Sequence, residues 1–182
     1  MIRPLAVLFI ASLSPGVLAQ DVAPKVWVDE GACPFECCQY GRWTAETPTP
    51  AFASPTLRAR QVTVIPRGIA VTAITGHVRT TAQPFVVNRP HDRYKSGDRL
   101  MVYTYYGEGA FSVWYKGERY TEDLGFSPYG GTGDKRCTNA KQCWGTLAGE
   151  LQQDWWVQVR LPDGHVAWVN GAMHFSGADA CG

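Results

Sequence analysis

Trp155-Trp156-Val157-Gln158-Val159-Arg160-Leu161, then Pro162-Asp163-Gly164, then His165-Val166-Ala167-Trp168-Val169 is the stretch that decides the fold. Apolar and polar residues alternate on both sides of a turn, which is the signature of paired strands. Proline sets the chain direction into the turn and glycine accepts a positive φ, so the segment reads as a β-hairpin. Trp155, Val157, Val159 and Leu161 fall on one face, and Trp156, Gln158 and Arg160 on the other. One of these faces is core.

The same pattern recurs upstream. Lys25 to Val28 reads as one short strand, and Gln61 to Ile65 as another before the turn Pro66-Arg67-Gly68. Ile69 to Thr75 is again rich in β-branched residues and stops before Gly76. Leu100 to Tyr106 and Ala110 to Tyr115 flank Gly107-Glu108-Gly109, a hairpin connection, and Lys116-Gly117 permits a further reversal into Glu118-Arg119-Tyr120. Thr47 to Pro55 carries repeated proline, which removes ladder donors, so a loop or an edge is expected there. Thr146 to Asp154, with Leu147 and Leu151 four apart but Gly149 between them, supports one or two helical turns at most. The 19 Gly and 12 Pro in the 182 residues favour turns over long helices, and the fold class is all-β.

Met1-Ile2-Arg3, an apolar run from Pro4 to Leu13, the breaker Ser14-Pro15-Gly16 and the small-residue exit at Ala19 form a secretory signal peptide over residues 1–19. The run is about half of the roughly 20 residues that span a bilayer, so no stable membrane anchor is expected. Localisation is therefore expected to be exported, periplasmic or extracellular. Removing the leader takes away Arg3 and leaves 16 basic and 16 acidic residues out of the original 17 and 16. A neutral chain without a Lys/Arg cluster has little pull on phosphates, which argues against nucleic acid as a partner.

Six cysteines, Cys33, Cys37, Cys38, Cys137, Cys143 and Cys181, in an exported chain read as disulfides. Six allow 15 pairings. Cys137 and Cys143 bracket a short polar segment that can fold back, so they are expected to bridge. Adjacent Cys37 and Cys38 would form a strained ring with each other, so each is expected to seek a distant partner, and one of the early three to reach Cys181. Zinc spacing is met once, at Cys33 and Cys37, while His77, His91, His165 and His174 are scattered. No metal or other cofactor is expected.

Val64-Ile65-Pro66-Arg67-Gly68-Ile69-Ala70-Val71 and the closing tryptophan hairpin resemble two steps of bacterial SH3-like domains, small β-barrels appended to many exported proteins. Gly31-Ala32-Cys33-Pro34-Phe35-Glu36-Cys37-Cys38, with Tyr40 and Trp43, is similar to the opening of a group of uncharacterised exported proteins that carry such a fold. The resemblance implies an SH3-like small barrel over residues 20–182, a single domain with inserted hairpins from Tyr94 to Tyr120 and a long Gly-rich disulfide loop. Two interleaved SH3-like units are the alternative.

No catalytic residues are assigned. Gly130-Gly131-Thr132-Gly133-Asp134-Lys135 fails the phosphate-loop spacing because Asp134 separates glycine from lysine. A Cys/His nucleophile competes with the simpler use of every cysteine as a staple, and Glu122-Asp123 reads as a solvated turn. Aromatic density is the functional signal: Tyr103, Tyr105, Tyr106, Phe111, Trp114, Tyr115 and Tyr120 lie on adjoining strands. Alternation sends some of them outward, where rings stack on sugar faces or peptide planes. Tyr103, Tyr105, Trp114 and Tyr115 are thus the expected binding surface of a non-catalytic module for peptidoglycan or a protein or peptide partner, the other reading being that the inserted hairpins bury these rings in a core of their own. Two alternatives are a disulfide-stapled inhibitor whose Tyr120 to Arg136 loop plugs a secreted enzyme, and an enzyme of unrecognised geometry.

Overall fold

The computed structural model describes residues 22–129, 134–171 and 174–181. The leader at 1–19 and the glycine run at 130–133 lie outside them. Thirteen strands are present: β1 (Val26–Glu30), β2 (Gly41–Ala45), β3 (Thr49–Phe52), β4 (Gln61–Ile65), β5 (Ala70–Thr81), β6 (Gln83–Val87), β7 (Arg99–Gly107), β8 (Ala110–Tyr115), β9 (Glu118–Asp123), β10 (Gly145–Leu147), β11 (Gln152–Arg160), β12 (Val166–Asn170) and β13 (Phe175–Ser176). The fold is all-β, with no α-helix among the described residues.

The first sheet has eight strands. Seven run in the order β13-β2-β5-β11-β12-β3-β4 and curl into a half-barrel, while β1 pairs with the C-terminal half of β5. The second sheet, β10-β6-β7-β8-β9, is drawn wholly from residues 83–147, the segment between β5 and β11. Each sheet has its own core. Trp43, Val71, Val78, Trp155, Val157 and Val169 centre the first, and Phe85, Leu100, Val102, Phe111, Val113 and Trp144 the second.

The turns form as their residues dictate. Lys116 and Gly117 both have positive φ (50° and 86°), the requirement of a two-residue hairpin that follows strand twist. Gly164, at φ 86°, closes the β11–β12 hairpin.

Three strand expectations change. β5 does not stop at Gly76 but continues to Thr81. A Cβ at Gly76 would run into the Trp155 indole nitrogen and the Tyr40 hydroxyl, so the glycine marks a close approach inside the sheet rather than an end. Thr49–Phe52 is a strand between β4 and β12, with Phe52–Trp168 its one ladder pair to β12; the ladder is short enough to hold Pro50. The segment Thr146 to Asp154 has no helical turn, because β10 and the start of β11 take its backbone donors and acceptors into two different sheets.

The disulfides are Cys33–Cys38, Cys37–Cys181 and Cys137–Cys143, leaving no free cysteine. The local Cys137–Cys143 bridge and the tie to Cys181 are as expected. Cys38 departs from expectation by pairing only 5 residues away. A positive φ at Cys37 (60°) turns the chain there, so that Cys37 and Cys38 point to different partners. Disulfides of this kind belong to an oxidising compartment. Among the described residues no helix is long and apolar enough to cross a membrane.

Candidate functional site

Of the four residues expected to form an aromatic surface, Tyr103, Tyr105 and Tyr115 are buried and Trp114 is half-buried. Tyr103 is 0% exposed and meets Trp27 of β1 with ring centroids 6.1 Å apart, its hydroxyl donating to the Pro24 carbonyl at 2.7 Å. Tyr105 and Tyr115 are buried in the second core, and the Tyr115 hydroxyl donates to Asp98 at 2.6 Å. Half-buried Trp114 has an indole nitrogen without a partner among the described residues. The reason is β1. Its Trp27 and Asp29 lie across the outer face of β7 and β8, where Asp29 also accepts from the Tyr106 hydroxyl at 2.7 Å. Burial pushes the Tyr103 phenol up to about 12; burial, reinforced by the Asp29 carboxylate, does the same to Tyr106.

A different aromatic group reaches solvent, on the face of the first sheet opposite its core. Trp155, Val157 and Val159 point inward, so Trp156 and Gln158 point out, as do Trp168 and Asn170 from β12. His77 lies directly across from Trp156 on β5, and Phe52 across from Trp168 on β3. The rings touch. Phe52 meets Trp156 edge-on at 5.7 Å, and His77 packs on Trp168 at 4.6 Å. Trp156 is only 4% exposed yet belongs to neither core, whereas Phe52, His77 and Trp168 are half-buried around it.

Planar polar side chains border the rings. Gln158 stands beside Trp168, Asn170 beside Trp156, and the cross-strand pair Arg79 and Asp154 continues the same face. There the surface dips into a depression of ≈ 430 Å³ lined by Arg79, Thr81, Leu151, Gln152, Gln153 and Asp154. Val26 and Val28, paired with Thr81 and Arg79, extend it as exposed apolar ground.

The Trp155-Trp156 doublet was the available signal for this face, since alternation must turn one ring outward. Phe52 and His77 carried none, because their place depends on pairing across 104 residues, from position 52 to position 156.

The remaining candidate chemistry has structural occupations. His91 stacks on Trp144 at 4.5 Å, and His165 bonds Asp163 at 3.1 Å within an exposed turn. Glu122 accepts from the Tyr94 hydroxyl at 2.5 Å, with Arg93 at 3.9 Å. Cys37, Asp179 and Cys181 lie close enough to hold a metal, but the two sulfurs are bonded to each other. In the Tyr120 to Arg136 loop, Leu124 and Phe126 turn inward into the second core. No family model, curated protein or solved structure matches the chain.

Proposed function

We propose that the chain is an exported, non-catalytic binding module built on an SH3-like half-barrel, and that the outer face around Trp156 and Trp168 binds the glycan strands of peptidoglycan. The observation that carries this reading is an aromatic cluster outside both cores, edged by amides and opening onto a polar depression. Half-buried indole offers a flat apolar platform for the C–H face of a pyranose ring. Gln158, Asn170 and Asp154 present planar donors and acceptors of the kind that pair with ring hydroxyls. Export is supported by the leader pattern at 1–19 and by the three disulfides.

Retention on purified peptidoglycan sacculi tests the proposal. The wild-type protein is expected to sediment with sacculi, and Trp168→Ala to lose about tenfold in affinity, as truncation of an aromatic anchor does. Because Trp168 lies outside the core, its variant should keep the wild-type circular dichroism. No sedimentation of the wild type, or equal sedimentation of a folded Trp168→Ala, would overturn the proposal.

A further inference from the structure

We infer that the outer edge of β4 receives an extended peptide of a partner protein, with an apolar anchor in the adjoining cleft and acidic residues beside it. This site is independent of the glycan face. β4 ends the first sheet, pairs with β3 on one side and leaves its other row of N–H and C=O groups without a strand among the described residues.

Natural sheets protect such edges with charge, brevity or cover. β9 carries Glu118, Arg119, Glu122 and Asp123, and β1 carries Asp29 and Glu30. β10 has three residues and β13 two. β4 reads Gln-Val-Thr-Val-Ile, with no charge, and exposes Val62 (38%) and Val64 (43%). An uncharged apolar edge on an exported protein invites pairing.

The curl of the sheet brings this edge to the β11–β12 turn. Between them lies a cleft of ≈ 260 Å³ lined chiefly by Val64, Pro66, Ile69, Leu161 and Pro162, with Asp163 as its one charged group. One medium apolar side chain, projecting from a strand added to β4, can enter it. Strand addition supplies backbone hydrogen bonds and the pocket supplies selectivity.

Charge names the flanks. Arg42 and Arg160 line the depression that shares Leu161 and Pro162 with the cleft, and Arg67 stands in the turn after β4. Of the acids nearby, Asp163 in the cleft accepts from the His165 ring and backbone, and Glu46 lines the same depression as Arg67. Three arginines against these two acids leave the flanks net positive, which favours an acidic segment.

The test uses two fluorescein-labelled hexapeptides of alternating valine and threonine, one ending in two aspartates and the other in two lysines, read by anisotropy against the full chain. The aspartate peptide should bind about tenfold tighter than the lysine peptide, and the difference should shrink in high salt. Val64→Lys and Arg160→Glu should each weaken the aspartate peptide by about tenfold, with unchanged melting temperature. Absence of binding by both peptides, equal binding of both, or an unaffected Val64→Lys would overturn the inference. So would a wild-type dimer that Val64→Lys converts to monomer, since the edge would then serve a second copy. Failure of the glycan proposal shows instead in Trp168→Ala and sacculi, which this experiment does not use.

Discussion

Removing the Cys37–Cys181 bridge should be the most destabilising disulfide deletion in the protein, even though Cys181 is exposed. The bridge joins residues 144 apart, and the chain-entropy relation for a loop of that length gives about 5 kcal/mol of stabilisation through the unfolded state. The same relation for the Cys33–Cys38 loop, closed over 5 residues, gives about 2 kcal/mol. At about 2–4 °C per kcal/mol for a domain of this size, Cys37→Ser with Cys181→Ser should lower Tm by about 10–20 °C, and Cys33→Ser with Cys38→Ser by about 4–8 °C. The segment that the long bridge anchors is not idle. Phe175 packs 5.7 Å from Trp43, Ala178 belongs to the first core, and the Ala180 amide donates to the Cys37 carbonyl at 2.8 Å. These contacts persist without the bridge, so the loss should come mostly from a freer denatured chain. Urea denaturation distinguishes the cause, because an expanded denatured state raises the m-value. Equal Tm losses in the two double variants, or a long-bridge variant that falls by less than about 5 °C with an unchanged m-value, would refute the loop-entropy argument.

Gly76→Ala should cost about 1–3 kcal/mol by overpacking, because the new methyl meets Trp155 and the Tyr40 hydroxyl; the cost should shrink when Tyr40→Phe removes that oxygen. A thermal-melt double-mutant cycle without coupling would contradict this contact. Tyr103 and Tyr106 titrate near 12 when folded against about 10 when unfolded, so the neutral phenols favour the native state below pH 10. Stability should therefore fall as pH rises from about 10 to about 12, because the unfolded chain loses these protons first. Denaturation midpoints across that range should fall less steeply in Tyr103→Phe, and an identical slope would sink the assignment.

The fate of the tyrosines shows where sequence reading stops. The hairpins around Gly107-Glu108-Gly109 and Lys116-Gly117 were legible because glycine and positive φ act locally. Alternation along β7 and β8 correctly implied two faces. It could not show that the second face is covered by β1 and the residues just before it, from which Pro24 and Asp29 bond Tyr103 and Tyr106 from 79 and 77 residues upstream. A register irregularity between Val102 and Tyr105 also breaks strict alternation there. Gly76 misled for a related reason: glycine ends strands often, and here its missing side chain makes room for rings contributed by β11 and by Tyr40.

Local chemistry in the sequence by itself determined the all-β class, the main hairpins, the outward turn of one ring in the Trp155-Trp156 doublet and the short Cys137–Cys143 bridge. Each depends on neighbours within a few residues, where period, φ preference and loop length operate. Tertiary structure alone decided that residues 83–147 form their own sheet, that β1 seals the tyrosine face, and that Phe52, His77, Trp156 and Trp168 meet on an open one. Strand order fixes those outcomes, and strand order is set by which distant apolar faces bury each other, a choice that no single segment contains.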